Sequence, residues 1–298
     1  PEIGELYINL GAALKSSGER DAAEQAYRDA IKKIPKSAIA WFNLGNLLRE
    51  NRQAEEALKA YRKADKLQPG TPEILNNLGT QLYDIGAIDD ALKHYDAALS
   101  FRPTFSDAMT NRGNALQRLC RMNEAEQALR DALKIEPQNS IFTLNMSAFL
   151  AAAGRHDQAI EWVDAAIDLD PKYIDAHLKK ASLLIQQGRL EEGLSLYESR
   201  WQNPHWHSLP ARIKAPRWNG EDLSGKHLIT WNEQGFGDAI MYARYITILA
   251  DQAETLTIMC EPTLHDLFRR NLPASIKIIG LNDLPPPADY HVSMMSVP

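Results

Sequence analysis

The sequence predicts an α-solenoid built from repeated helix pairs, followed by a partial α/β lobe. Three observations carry this. Glycines recur every 34 residues at Gly11, Gly45, Gly79 and Gly113, and Ser147 and Ala181 extend the series with small residues. A leucine stands three residues after each of these six positions, at Leu14, Leu48, Leu82, Leu116, Leu150 and Leu184. After residue 222 this rhythm gives way to short apolar runs alternating with helical patterns.

Each element of the repeat has a physical reason. Two antiparallel helices must approach closely, so small residues occupy the crossings: Ala23, Ala57, Ala91, Ala125 and Ala159, and Ala30, Ala64, Ala98, Ala132 and Ala166. Tyr27, Tyr61, Tyr95 and Tyr197 fill the space between helices. Gly18, Gly86, Gly154 and Gly188 mark the turn inside a pair. Pro35, Pro69, Pro103, Pro137 and Pro171 close five units, because proline cannot continue a helix. The pattern resembles the tetratricopeptide repeat, as six units over roughly residues 4–203. The sixth departs from it: Arg200 stands where alanine stood, as in an adapter to a different structure.

One position of the first helices reads Asn9, Asn43, Asn77, Asn111 and Asn145, then Lys179. Asparagine is a mediocre helix former. A carboxamide carries donors and an acceptor, so a row of them on a concave groove suits the backbone of an extended protein or peptide partner. The alternative is that the asparagines bond between adjacent repeats and fix the superhelix. Asn46, Asn114, Thr80, Asp84, Arg49 and Arg118 add polar groups nearby. The row is similar to the asparagine ladder of O-linked N-acetylglucosamine transferases, which implies a groove that holds acceptor polypeptide. Trp41, Phe42 and Trp162 are expected to pack, and His94, His156 and His177 are isolated from one another, so no metal is assigned.

Residues 204–222 form a joint rich in proline and tryptophan, expected to be an ordered, extended segment pinned between domains 1–203 and 223–298. His205 and His207 within it lack a third ligand. Beyond it, 227–231, 255–260, 276–280 and 290–295 read as strands, and 237–252 and 262–272 as helices. Ile240, Ala243, Tyr245, Ile246 and Leu249 form the apolar stripe expected of the first helix. Strand–helix alternation implies a parallel sheet with right-handed crossovers. Ligands then sit beyond the carboxyl ends of the strands, where 232–238 lie.

The stretch 232–240, NEQGFGDAI, lacks the third glycine of a dinucleotide fingerprint, since Ile240 occupies that place. It is a turn that delivers Asp238 to the start of a helix, where a carboxylate is favoured even as a plain cap. With the repeats before it, the stretch resembles the EQGLGD signature of bacterial repeat-containing glycosyltransferases. CEPTLHDLF and DYHVSMMSVP resemble the same family. The resemblance implies a heptosyltransferase-like catalytic region of GT-B type, in which 223–298 is the incomplete Rossmann-like N-terminal lobe. It further implies Asp238 as general base, Gln234, Gly235 and Gly237 as the acceptor loop, and a nucleotide sugar as donor of the complete protein. No cofactor is implied in this chain, and the fragment alone is expected to be inactive. A non-catalytic scaffold that binds a partner in the groove is the alternative.

Composition sets outer bounds. The chain has 298 residues, 44% hydrophobic and 24% charged, with formal net charge −6 and no basic tract, so nucleic acid is not an expected partner. No apolar run approaches the ~20 residues of a membrane helix. Cys120 and Cys260 lie far apart, which suits a reducing compartment and a cytoplasmic location. There is no signal-peptide pattern, and the missing initial Met points to a trimmed start.

Overall fold

The computed structural model describes residues 2–203, 210–233 and 235–297. Contacts divide the chain into two compact units, Pro1–Tyr173 and Ile174–Pro298. The sixth helix pair thus groups with the lobe, which differs from the boundary at 203/204 read from the sequence.

The first unit is five antiparallel helix pairs: α1 (Glu2–Ser16) with α2 (Arg20–Lys33), α3 (Ala38–Glu50) with α4 (Ala54–Leu67), α5 (Pro72–Asp84) with α6 (Ile88–Phe101), α7 (Ser106–Arg118) with α8 (Met122–Ile135), and α9 (Ser140–Ala152) with α10 (His156–Leu169). The 34-residue series sits at the helix crossings. A Cβ built on Gly45 would come 2.8 Å from the Tyr61 ring, and one on Gly79 would come 2.7 Å from Tyr95. Ser147, the first non-glycine of the series, donates its hydroxyl to the Ala159 carbonyl at 2.7 Å, which satisfies a fully buried polar group. The first helices neighbour one another, α1 with α3, α3 with α5, α5 with α7 and α7 with α9. Second helices make no comparable contacts among the described residues, so the first helices form the tighter side of the stack.

The turn inside each pair needs a left-handed residue. Gly18, Gly86 and Gly154 supply it with φ of 84°, 84° and 74°. Arg52 and Cys120 occupy the same place in the second and fourth pairs with φ of 60° and 58°, where a side chain is disfavoured. Arg52→Gly and Cys120→Gly should each stabilise the first unit by up to about 1 kcal/mol. Chemical denaturation of the single variants checks this, and a loss of stability in both would contradict it.

The second unit begins with α11 (Ile174–Gln186) and α12 (Leu190–Tyr197), which runs into a 3-10 turn at Glu198–Gln202. Its sheet comprises β1 (His227–Trp231), β2 (Thr255–Cys260), β3 (Lys277–Gly280) and β4 (Tyr290–Ser293), all parallel, in the order β3-β2-β1-β4. β3 starts and β4 ends later and earlier than the expected 276–280 and 290–295. The strands read as near-continuous apolar runs because both faces are covered. Leu228, Leu256, Ile258 and Cys260 pack on one side with Ala239, Ile246, Leu249 and Phe268. Ile229, Trp231 and Met259 pack on the other with Ile213 and Trp201.

The single helix expected over 237–252 is instead α13 (Phe236–Tyr242), a 3-10 turn at Ala243–Tyr245, and α14 (Ile246–Gln252). The buried residues are Ala239, Ile246 and Leu249, whereas Ile240 is exposed. The apolar stripe therefore begins one residue earlier than its sequence reading. The expected second helix opens with a 3-10 turn at Pro262–Leu264 and continues as α15 (His265–Asn271).

Where described, the joint is ordered. The Arg212 guanidinium donates to the carbonyls of Leu281, Asn282 and Asp283 at 2.9–3.0 Å. Residues 216–218 run alongside β4 through a parallel bridge, with Trp218 N–H donating to the His291 carbonyl and His291 N–H to that of Pro216. Pro204, His205 and His207 lie outside the described residues.

Candidate functional site

On the first-helix side of the first unit, the asparagines divide into two classes. Asn77 Nδ2 donates to Asn46 Oδ1 at 2.8 Å, one repeat back. Asn111 Nδ2 donates to Asn76 Oδ1 at 3.0 Å and to Thr80 Oγ1 at 3.4 Å. Asn76 Nδ2 donates to Asn77 Oδ1 at 3.3 Å. Two buried tyrosines join the chain, Tyr61 OH to Asn46 Oδ1 at 2.8 Å and Tyr95 OH to Thr80 Oγ1 at 3.3 Å. Burial pushes both phenols up to about 12, so each remains a donor. A hydrogen-bonded chain of carboxamides and hydroxyls thus spans the second, third and fourth pairs.

Asn77 and Asn111 therefore fasten repeats to one another, as the alternative reading expected for the whole row. Asn43 and Asn145 are half-buried, Asn9 is exposed, and none of the three makes a side-chain hydrogen bond among the described residues. Lys179 belongs to the second unit, on α11, and burial holds its amine below the usual lysine range. Asn76 stands one residue off the periodic row. It is nearly buried and links two rungs, and the Asn76–Asn77 doublet was its only sequence signal.

In the second unit the connection after β1 carries the other predicted residues. Gly235 is the N-cap of α13, and Phe236, Gly237 and Asp238 make up its first turn. Asp238 is half-buried and accepts no hydrogen bond from the described residues. Gly235 and Gly237 are exposed, with open space where a Cβ would be. Gln234 lies outside the described residues.

What the sequence reading missed is the anchor of this connection. Glu233 and Arg200, each about 1% exposed in the side chain, form a bidentate ion pair, Nε to Oε2 at 2.9 Å and Nη2 to Oε1 at 2.8 Å. Arg200 Nη1 donates to the Tyr197 carbonyl at 3.1 Å and to Glu198 Oε1 at 2.6 Å, and Nη2 donates to Ser296 Oγ at 2.7 Å. All five guanidinium donors are therefore used. The guanidinium also lies against the rings of Tyr197 and Trp201, at 4.4 and 4.6 Å from their centroids. Ser293, at the end of β4, donates to Glu233 as well, and Arg217 pairs with Glu198. Trp201, Arg217, Trp231, His291 and Ser293 line a small cavity of about 200 Å³ beside this cluster. Burial, reinforced by Arg217, lowers the His291 pKa, and its neutral Nδ1 accepts from Trp231 Nε1 at 3.4 Å.

Cys120 is exposed and Cys260 buried, both as free thiols, and burial raises the Cys260 thiol to about 12. Among the described residues no His, Cys, Asp or Glu side chains gather in threes to hold a metal ion, and no helix is long and apolar enough to cross a membrane.

Comparison with known proteins agrees with the repeat geometry. A tetratricopeptide repeat model matches residues 8–72, 48–108, 76–140 and 110–174, and a second matches 150–213. Protein FlbA of Caulobacter vibrioides is 36% identical over 89 residues, which is 28% of this chain and 15% of FlbA's length. Among solved structures, PilW, a type IV pilus biogenesis factor, superposes with a TM-score of 0.62 at 19% identity, covering 70% of this chain and 96% of PilW. A tetratricopeptide repeat protein from Parabacteroides merdae gives 0.57 at 21% identity, covering 68% of this chain and 80% of its own. These likenesses speak to fold alone. The matched models take in the five helix pairs whose crossings and turns are described above, and the chain belongs to the tetratricopeptide repeat family.

Proposed function

We propose that the protein is a scaffold that binds an extended protein segment along the first helices of its repeats. The observation that carries this is the division of the asparagine row. Interlocked Asn46, Asn76, Asn77 and Asn111 hold the surface in shape, while Asn43 and Asn145, on the register of Asn77 and Asn111, have carboxamides without a hydrogen bond among the described residues. A rigid, uncharged row of this kind pairs with backbone amides and reads little of the ligand's side chains.

The two classes separate experimentally. Asn77→Ala should cost the first unit about 1 kcal/mol, because it breaks a bond between repeats. Asn43→Ala with Asn145→Ala should leave the melting temperature unchanged or raise it, because alanine is the better helix former. Unstructured peptides selected from a displayed random library should bind the parent chain in fluorescence anisotropy, and should bind the Asn43/Asn145 double variant about tenfold or more weakly, ~1.4 kcal/mol. Undiminished binding by the double variant removes this reading.

A second reading is favoured by the connection after β1. Here the chain is part of a glycosyltransferase whose repeats recruit the acceptor, and the parallel sheet is half of a Rossmann-like lobe of GT-B type. It is supported by the β3-β2-β1-β4 strand order and by an Asp238 carboxylate that accepts no hydrogen bond from the described residues, at the carboxyl end of β1. In this reading Asp238 takes the proton of an acceptor hydroxyl as that oxygen attacks the anomeric carbon of a nucleotide sugar, the bond from that carbon to the phosphate oxygen breaks and the nucleotide leaves with its electron pair, and Gln234, Gly235 and Gly237 shape the acceptor side. In the complete protein, Asp238→Asn should abolish sugar transfer with folding intact. A fully active variant excludes Asp238 as the base.

A further inference from the structure

The outer face of α1 is apolar and exposed. Leu6 is 65% and Leu10 47% exposed, and Ala13 beside them is exposed too. In every later pair of the first unit, the residue in the register of Leu6 is buried: Ala40, Ile74, Ala108 and Phe142. In the register of Leu10, Leu44, Leu78 and Met146 are buried, and in that of Ala13, Leu47, Gln81, Ala115 and Phe149 are buried.

What buries them is the second helix of the preceding pair. Ala40 on α3 packs with Ala30 of α2, Ile74 on α5 with Ala64 of α4, and Ala108 on α7 with Ala98 of α6. The end face of a repeat array is polar when it is a terminus facing water. The α1 face instead carries the residue types of an internal junction. The proline series gives an independent sign, because Pro1 stands 34 residues before Pro35, in the place of a proline that closes a preceding unit.

We infer that the α1 face is the seat of one further tetratricopeptide helix pair. It packs through its second helix, with a small residue opposite Leu6 in the role of Ala30, Ala64 and Ala98. The surface is thus a continuation of the junction already repeated four times along this unit.

The experiment extends the whole chain. Residues 35–68 are fused directly before Pro1, which keeps the 34-residue spacing and sets Ala64 of the added pair opposite Leu6. The fused protein should gain helix by circular dichroism and melt about 5 °C or more above the parent. Leu6→Glu with Leu10→Glu should erase that gain in the fused protein and leave the parent's melting temperature within about 2 °C of its original value. Three results overturn the inference: a fused protein that does not gain helix, a gain that survives the double substitution, or a parent chain that sediments as a dimer dissociated by Leu6→Glu and Leu10→Glu. The last would make a second copy the occupant.

Discussion

Replacing Arg200 by alanine should destabilise the second unit by about 3–5 kcal/mol, the cost typical of breaking a buried ion pair from one side. The reason is in the partner groups left behind. Glu233 would keep a carboxylate with almost no solvent contact, and the Tyr197 carbonyl, Glu198 and Ser296 would each lose a donor. Trp201 and Tyr197 would lose the cation that lies against their rings. Tryptophan fluorescence during denaturation reports the change, because Trp201 and Trp231 pack edge to face at 5.5 Å beside the pair. Arg200→Met combined with Glu233→Met should lose clearly less than Arg200→Ala alone, since removing both charges leaves no unpaired ion between them. If Arg200→Ala loses less than about 1 kcal/mol, the pair is not the anchor described here.

In the first unit the largest loss is expected from Tyr61→Ala, about 3–5 kcal/mol, as for other large aromatic truncations in a core. The ring is fully buried, lies against the Gly45 crossing and tilts against Phe42 at 6.1 Å. Gly45, on one side of the ring, has no side chain to move into the space. Tyr61→Phe separates the two roles of the residue. It keeps the ring and removes only the donor to Asn46 Oδ1, which still accepts from Asn77, so the loss should be about 1 kcal/mol. Urea denaturation of both variants checks the ratio. Equal losses would mean that the hydroxyl, not the ring, holds the junction.

The repeats were legible because a solenoid turns local packing into sequence period. Each pair meets only its neighbours, so the same crossing recurs and the same small residue with it. Where the period breaks, the structure tells two different stories. Arg52 and Cys120 stand in the glycine series of turns and adopt its left-handed conformation all the same, so a missing glycine there did not mean a missing turn. Arg200 stands in an alanine series and does something else entirely, bonding to residues 33 and 96 positions further along the chain. Sequence spacing gives no sign of such partners, because β1 and β4 bring them together only through the parallel sheet.

The candidate sites follow the same division. The row of Asn9, Asn43, Asn77, Asn111 and Asn145 is visible as a period, but which rungs are spent on neighbouring repeats is not. That depends on Asn76 and Asn46, which belong to other registers, and on two tyrosine hydroxyls from the second helices. Asp238 was placed correctly in the first turn of a helix, since a glycine-flanked turn after an apolar strand has few other outcomes. The division of that helix at Ala243–Tyr245 was not foreseen, because a pattern of apolar residues fixes which face is buried more firmly than how many segments share it.

The sequence by itself determined the helix pairs, their period, the small residues at their crossings and the change to a parallel sheet after the joint. These rest on interactions between residues close in the chain, or repeated at a constant distance along it. Only the tertiary structure decided which asparagines bond to neighbouring repeats, that Arg200 and Glu233 fasten the last repeat helices to the connection after β1, and that Leu6 and Leu10 of α1 stand exposed where most residues in their registers are buried. Each of those depends on what lies opposite a side chain in space, and burial and hydrogen-bond partnership are not local properties of a sequence.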